Sequence, residues 1–171
     1  MKNITLDRTE IRNFKGQKSL DIDFKPLTII EGPNASGKTT IFDSFCWAQY
    51  GKDSSGSEKF EIRTLDENGK SIDNTEILVS NHITVDGETH IFTKSQKQKW
   101  VKKRGSTAPT FQGNINSYEV DGYPMSETDY KKAVAGMVSE DIFKLITNPQ
   151  AFPNMPWKEQ RKILVSLFGD M

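Results

Sequence analysis

The chain has one cysteine, two histidines, no excess of either charge and no apolar run near the roughly 20 residues of a membrane span. Each shortage excludes something. A single Cys46 rules out an internal disulfide framework and suits a reducing, cytoplasmic setting. It lies among apolar residues of a helical stretch and reads as a buried thiol rather than a reactive one. The opening MKNITLDRTE lacks the apolar core of a signal peptide, so the expectation is a soluble chain with no membrane partner. Lys+Arg and Asp+Glu number 23 each, so net charge is silent about partners and any nucleic-acid signal has to be local. A length of 171 residues suffices for one domain, or one domain with an inserted lobe, around a real core.

What is present begins with strands. SLDIDF (19–24) alternates strictly, with Leu20, Ile22 and Phe24 on one face and Ser19, Asp21 and Asp23 on the other. That is the pattern of a half-buried antiparallel strand, and ITLDRTEIRNF before it is its natural partner. LTII (27–30) is apolar with little alternation, as a strand covered on both faces would be. Next comes GPNASGKTT, which matches G-x-x-x-x-G-K-[ST] at every fixed position from Gly32 to Thr39. Ile41, Phe42, Phe45 and Ala48 then repeat at helical spacing.

Each residue type in that loop has a physical task. Glycines Gly32 and Gly37 let the backbone turn, past Pro33, until successive N–H groups of Asn34–Ala35–Ser36 and their neighbours converge on an anion. The helix opening near Lys38 aims its positive end at the same point. Lys38 brings a mobile charge to the outer phosphates, Thr39 offers a hydroxyl to Mg²⁺, and Thr40 continues the turn. The expected ligand is a Mg²⁺-bound nucleoside triphosphate, ATP first among them.

Such sites also need an acidic residue at the end of a second apolar strand. The one candidate, KILVSLFGD (162–170), ends in Asp170. Its apolar residues Trp157, Ile163, Leu164, Leu167 and Phe168 fall on one helical face, with Pro156 and Gly169 at helix-boundary positions. It reads as a helix, and the acidic strand is missing from the sequence.

These features together resemble the N-terminal half of the ATPase head in the SMC/RecF-like group, closest to the SbcC-like coiled-coil ATPases of double-strand-break repair and their phage relatives. IRNFKG (11–16) ahead of an alternating strand resembles the opening of such heads. GPNASGKTTIFDSF resembles their Walker A and following helix, with Asn34, Ser36 and Asp43 familiar there. FKLITNPQAFPNMPWKEQRKILVSLFGD (143–170) resembles the Q-loop segment and the helix that leads toward a coiled coil. The resemblance implies that Gln150 senses Mg²⁺ and the γ-phosphate, that Lys38 and Gln150 serve catalysis, and that Lys15 approaches the nucleotide. It also implies partners: the C-terminal half of the same head, a second head in a homodimer, DNA, and a nuclease. The signature motif and acidic pair of that second half have no match here, so the chain is expected to be a fragment that cradles ATP without turning it over alone.

The middle of the chain reads as hairpins, with Asp86-Gly87 and Asp121-Gly122 as turn signals. Between them Lys94, Lys97, Lys99, Lys102, Lys103 and Arg104 cluster around Trp100. The cluster could track a phosphate backbone with Trp100 stacking on a base, or form a solvated arm. His82 and His90 could face each other across the first hairpin, although strand histidines without Cys or acidic companions are more often surface residues than ligands. Ser126 with Asp129 forms a capping box, Ser139 can cap EDIFKLIT, and Met137, Val138, Ile142, Phe143 and Ile146 are expected in a core.

The expected architecture is an α/β P-loop NTPase half-domain of ABC/SMC type with an inserted antiparallel hairpin lobe. Residues 1–52 would form the nucleotide-binding subdomain, 53–125 the lobe after the flexible loop GKDSSGSEK, and 126–171 a helical segment. Two alternatives stay open: a P-loop kinase of another class, and a DNA-binding or dimerising module whose loop is vestigial. ABC transporter heads share the loop, but the IRNFKG opening and the basic hairpins argue against one.

Overall fold

Strict alternation in the second strand and a two-residue Lys15-Gly16 turn fix the start of the fold. In the computed structural model, β1 (Ile4–Phe14) and β2 (Gln17–Asp23) pair antiparallel, with Ile11 opposite Leu20 and Thr9 opposite Ile22. Lys15 and Gly16 both take positive φ, 46° and 88°, as a tight hairpin turn demands. The structure describes residues 3–102, 104–105, 108–147 and 152–168, without the side chains of 144, 146 and 166–168.

The two Asp-Gly signals act as expected. β3 (Ile77–Val85) and β4 (Glu88–Val101) join through Asp86 (φ 51°) and Gly87 (φ 93°). β5 (Thr110–Val120) and the short β6 (Tyr123–Met125) join through Asp121 (φ 54°) and Gly122 (φ 79°). All six strands form one antiparallel sheet in the order β2-β1-β3-β4-β5-β6, so the hairpins extend the sheet that β1 and β2 begin. A bulge between Lys99 and Trp100 reverses the phase near the far end of β4.

One face of this sheet is charged. Arg8 bridges Glu10 at 3.0 Å and Asp23 at 2.9 Å, and Arg12 pairs with Asp21. The other face is apolar and carries α1 (Lys38–Tyr50). Ile11, Phe14, Trp47, Ala48, Ile62, Ile77 and Val79 form the core between them, with Leu20, Ile41 and Phe60 packed at its edge. Helix α1 ends at Gly51 (φ 75°), whose N–H returns to the Trp47 carbonyl at 3.0 Å. Cys46 is a buried thiol, as the sequence suggested. The α1 face that is buried centres on Asp43, Ser44, Trp47 and Ala48, whereas Phe42 is exposed.

Residues 27–30 depart from expectation. They form no strand: Leu27 is 79% and Ile29 71% exposed. A strand covered on both faces needs neighbours on both edges, and among the described residues none pairs with this run. Instead the Thr28 hydroxyl accepts the Lys25 N–H at 2.8 Å and closes a turn.

Among the described residues three helices follow the sheet: α2 (Glu127–Met137), α3 (Glu140–Thr147) and α4 (Trp157–Phe168). The Ser126 hydroxyl accepts the Asp129 N–H at 3.1 Å and donates to its carboxylate at 2.7 Å, the expected capping box. Ser139 accepts the Ile142 N–H at 3.4 Å at the start of α3. That 157–168 is helical agrees with the periodicity and excludes the stretch as an acidic strand. Of the expected core positions Met137, Val138 and Phe143 are half-buried, whereas Ile142 is 54% exposed, as is Trp157 at 65%. By compactness the chain divides into Met1–Ala133 and Val134–Met171.

Candidate functional site: the glycine loop and its rim

Residues 31–37 leave the sheet region as a loop because Gly37 and Ala35 both adopt positive φ, 91° and 63°. Gly37 is the N-cap of α1, in a left-handed conformation that no side chain caps, and the first turn holds no acidic residue. The positive end of α1 therefore carries no built-in counter-charge. Lys38 folds back over the loop, its Nζ donating to the carbonyls of Gly32 and Pro33 at 2.7 Å each. A cleft of about 460 Å³ lies beside this loop, lined by Asn34 to Thr40 together with Lys15, Gly16 and Gln17 from the β1–β2 turn. No lining residue is acidic. The arrangement is chemically suited to an anion: backbone N–H groups, two ammonium groups and two threonine hydroxyls border it.

Most of the loop residues singled out in the sequence line this cleft; Gly32 and Pro33 instead hold Lys38. Gln17 was not anticipated. Its amide lies over Gly37, close to where a side chain would begin; Gln17 can swing aside, so it is the left-handed φ of 91° that favours glycine there. The signal for Gln17 is its place two residues after Lys15 on a turn that the fold lays against the loop.

Lys15 lines the cleft, and its Nζ donates to Asp43 Oδ2 at 2.7 Å while lying 4.8 Å from the centre of the Phe60 ring. Asp43 is 5% exposed and its other oxygen accepts both the N–H and the hydroxyl of Ser54, at 2.9 and 2.6 Å. Burial pushes the Asp43 pKa up, but the bonds from Lys15 and Ser54 outweigh it and hold the carboxyl below its ordinary value. The 51–59 loop, expected to be flexible, is knotted by Asp53, whose carboxylate accepts the N–H groups of Ser55 and Ser57.

The basic cluster separates into two parts. Lys94 is 5% exposed: it faces the core, gives a hydrogen bond to the Trp47 carbonyl at 2.9 Å and lies 4.4 Å over the Trp47 ring. Burial lowers its pKa to about 8. Lys97 pairs with Glu76 at 3.1 Å, and Lys99, Lys102 and Arg104 are exposed. Trp100 packs on Phe111 with ring centres 5.5 Å apart. Lys103 and Gln150 lie outside the described residues.

The histidines do not meet. His82 pairs in register with Ile91 and His90 with Ile83, so alternate pleats send them to opposite faces. His82 lies 3.6 Å from Glu10 and His90 2.9 Å from Asp121. Among the described residues no cluster of His, Cys, Asp and Glu could hold a metal ion, and no helix is long and apolar enough to cross a membrane.

Comparison with known proteins supplies the wider setting. A family model described as an AAA domain matches residues 8–154. The chromosome partition protein Smc of Methanocaldococcus jannaschii is 37% identical over 80 residues, which is 44% of this chain and 7% of that protein. Two structures of the recombination mediator protein RecF of the RecFOR pathway, one titled as RecF-ATP and the other as RecF-ATPrS, each superpose with TM-score 0.48 and 17% identity. They cover 75% and 73% of this chain, and the chain spans 30% and 29% of theirs.

Proposed function

The chain belongs to the AAA-domain family, and from that premise we propose that it is the N-terminal, ATP-binding half of an SMC/RecF-like head acting in DNA repair or recombination. One observation carries the reading: the loop from Gly32 to Thr39 presents an uncompensated helix N-terminus and Lys38 to a cleft without acidic lining. A triphosphate would displace Lys38 from the Gly32 and Pro33 carbonyls. The donor set also fits Mg²⁺ only in part, since Thr39, with Gln150, offers neutral oxygen. Bound Mg²⁺ would neutralise phosphate charge, and the acidic ligands would come from the C-terminal half of the head.

In the division of labour we assign, residues 1–52 bind nucleotide, 53–125 form the antiparallel lobe and 126–171 lead toward a coiled coil. The exposed Leu27 and Ile29 fit a strand position completed by that second half. In the whole protein two such heads, working in the cytoplasm, would close on ATP and couple its hydrolysis to DNA binding or processing, with a nuclease as a further partner.

The test is calorimetric titration of the 171-residue chain with ATP and with tripolyphosphate. Lys38→Ala is expected to weaken binding about 100-fold, the loss of a charge-assisted bond in a partly enclosed site. Equal affinity in the two chains would overturn the nucleotide reading. Steady hydrolysis that Lys38→Ala abolishes would overturn the half-site reading and favour a complete enzyme such as a kinase.

A role in touching DNA is a second part of the reading, supported by exposed Lys99, Lys102 and Arg104 near the β4–β5 end. Lys94 is excluded by its burial. Lys102→Glu with Arg104→Glu is expected to reduce duplex affinity and to lower the salt dependence of log K by about 0.9 for each phosphate that is no longer neutralised. An unchanged slope would leave the cluster a solvated arm.

A further inference from the structure

Asp43 lies on α1 one helical turn beyond Thr39, so the two share a face of that helix. It is a nearly buried carboxylate that spends one oxygen on Lys15 and the other on Ser54. Lys15 in turn sits in a left-handed turn conformation, with its backbone N–H bonded to the Ile62 carbonyl at 2.9 Å and its ammonium against Phe60. A lysine on a tight turn normally sweeps a wide cone of solvent. This one is fixed at three points, and it stands at the rim of the cleft bordered by the glycine loop. Nothing in that rim other than Lys15 and Lys38 carries a full positive charge.

We infer that Asp43 is a positioning residue of the anion site: it holds the Lys15 ammonium in place at the cleft, as a second cation beside Lys38 for an entering polyphosphate, and through Ser54 it ties this cation to the 51–59 loop. The inference rests on the nucleotide reading above and deepens it. Its physical logic is preorganisation. An ammonium already fixed by Asp43 and Phe60 loses little side-chain freedom when an anion arrives, whereas a free lysine loses most of it. The carboxylate is too deep to repel the anion strongly, because its charge is matched by Lys15 and by two donors from Ser54.

The experiment is a double-mutant cycle read by tripolyphosphate and ATP titration of the full 171-residue chain. Lys15→Met is expected to weaken binding about 10-fold and Asp43→Asn by a similar factor. In the Lys15→Met background Asp43→Asn should add almost nothing, because its effect acts through Lys15. Additive losses would overturn the inference and make Asp43 a support of the fold only. Unchanged binding in Asp43→Asn would also overturn it. Lys15→Met leaves the buried Asp43 carboxylate without its cation, so the Lys15→Met, Asp43→Asn double variant, which removes both charges, is the arm that reads binding if either single variant folds poorly. In that case the double variant binding as tightly as the unaltered chain overturns the inference. The unaltered chain is the separate control: if it binds neither ligand, the nucleotide reading fails and this inference falls with it. If it binds and the variants match it, only the inference fails.

Discussion

Replacing Trp47 by alanine is expected to cost about 3–5 kcal/mol of unfolding free energy, the range for removing a large aromatic side chain from a packed core. Three features put it there. The indole is 4% exposed and packs against Phe14 with ring centres 5.5 Å apart. It belongs to the core that joins α1 to the sheet strands β1 and β3. Its face also receives the Lys94 ammonium at 4.4 Å, which alanine would leave in a void. Urea unfolding at pH 7 measures the loss, and Trp47→Phe, which keeps a ring in the site, should lose clearly less. A cost below about 1 kcal/mol for alanine would show that the surroundings collapse onto the site.

The second large effect is a stability that rises with pH because of Lys94. Burial lowers the folded-state pKa from 10.5 to about 8. Between those values the unfolded chain binds a proton that the folded chain has released, so alkali favours the folded state. The contribution is flat below the folded value, climbs from about pH 8 and levels off near the unfolded value. From pH 7.5 to 9.5 it amounts to about 2 kcal/mol, at about 1.4 kcal/mol per pKa unit of separation. Lys94→Met keeps the chain length and removes the charge, so its stability should stay level across this window and exceed that of the unaltered chain at pH 7.5. The window ends below about pH 10 because burial raises the Tyr118 and Tyr130 pKa values, and their ionisation in the unfolded chain opposes the trend. A parallel rise in Lys94→Met would assign the effect to another group.

Lys94 also shows where a linear reading stops. In sequence it heads a run of basic residues that continues through Lys97 and Lys99 to Arg104. Strand periodicity places it in phase with Phe92, the core residue two positions earlier, and out of phase with Lys97 and Lys99. Reading charge without pleat groups the residues; reading pleat separates them. The histidines follow the same logic, since a shift of one position in register moves a side chain to the other face. The run Leu27–Ile30 fails for another reason: its composition describes a buried strand, yet burial is supplied by neighbours and not by composition.

Local chemistry was legible in the sequence of this protein. The Asp-Gly turns, the Ser126 capping box, the alternation of β2 and the helical period of residues 157–168 each depend on residues a few positions apart, so spacing alone determines them. The glycine loop belongs with these, because backbone freedom, a helix start and one lysine are all set within eight residues. Only the tertiary structure decided the rest. It brought Lys15 and Gln17 to the loop from a hairpin turn, paired Lys15 with Asp43 28 residues away, buried Lys94 beneath Trp47 and left Leu27 and Ile29 exposed. Those outcomes depend on which sheet face α1 covers and on which edges have a partner, and both are settled by packing between segments far apart in the chain.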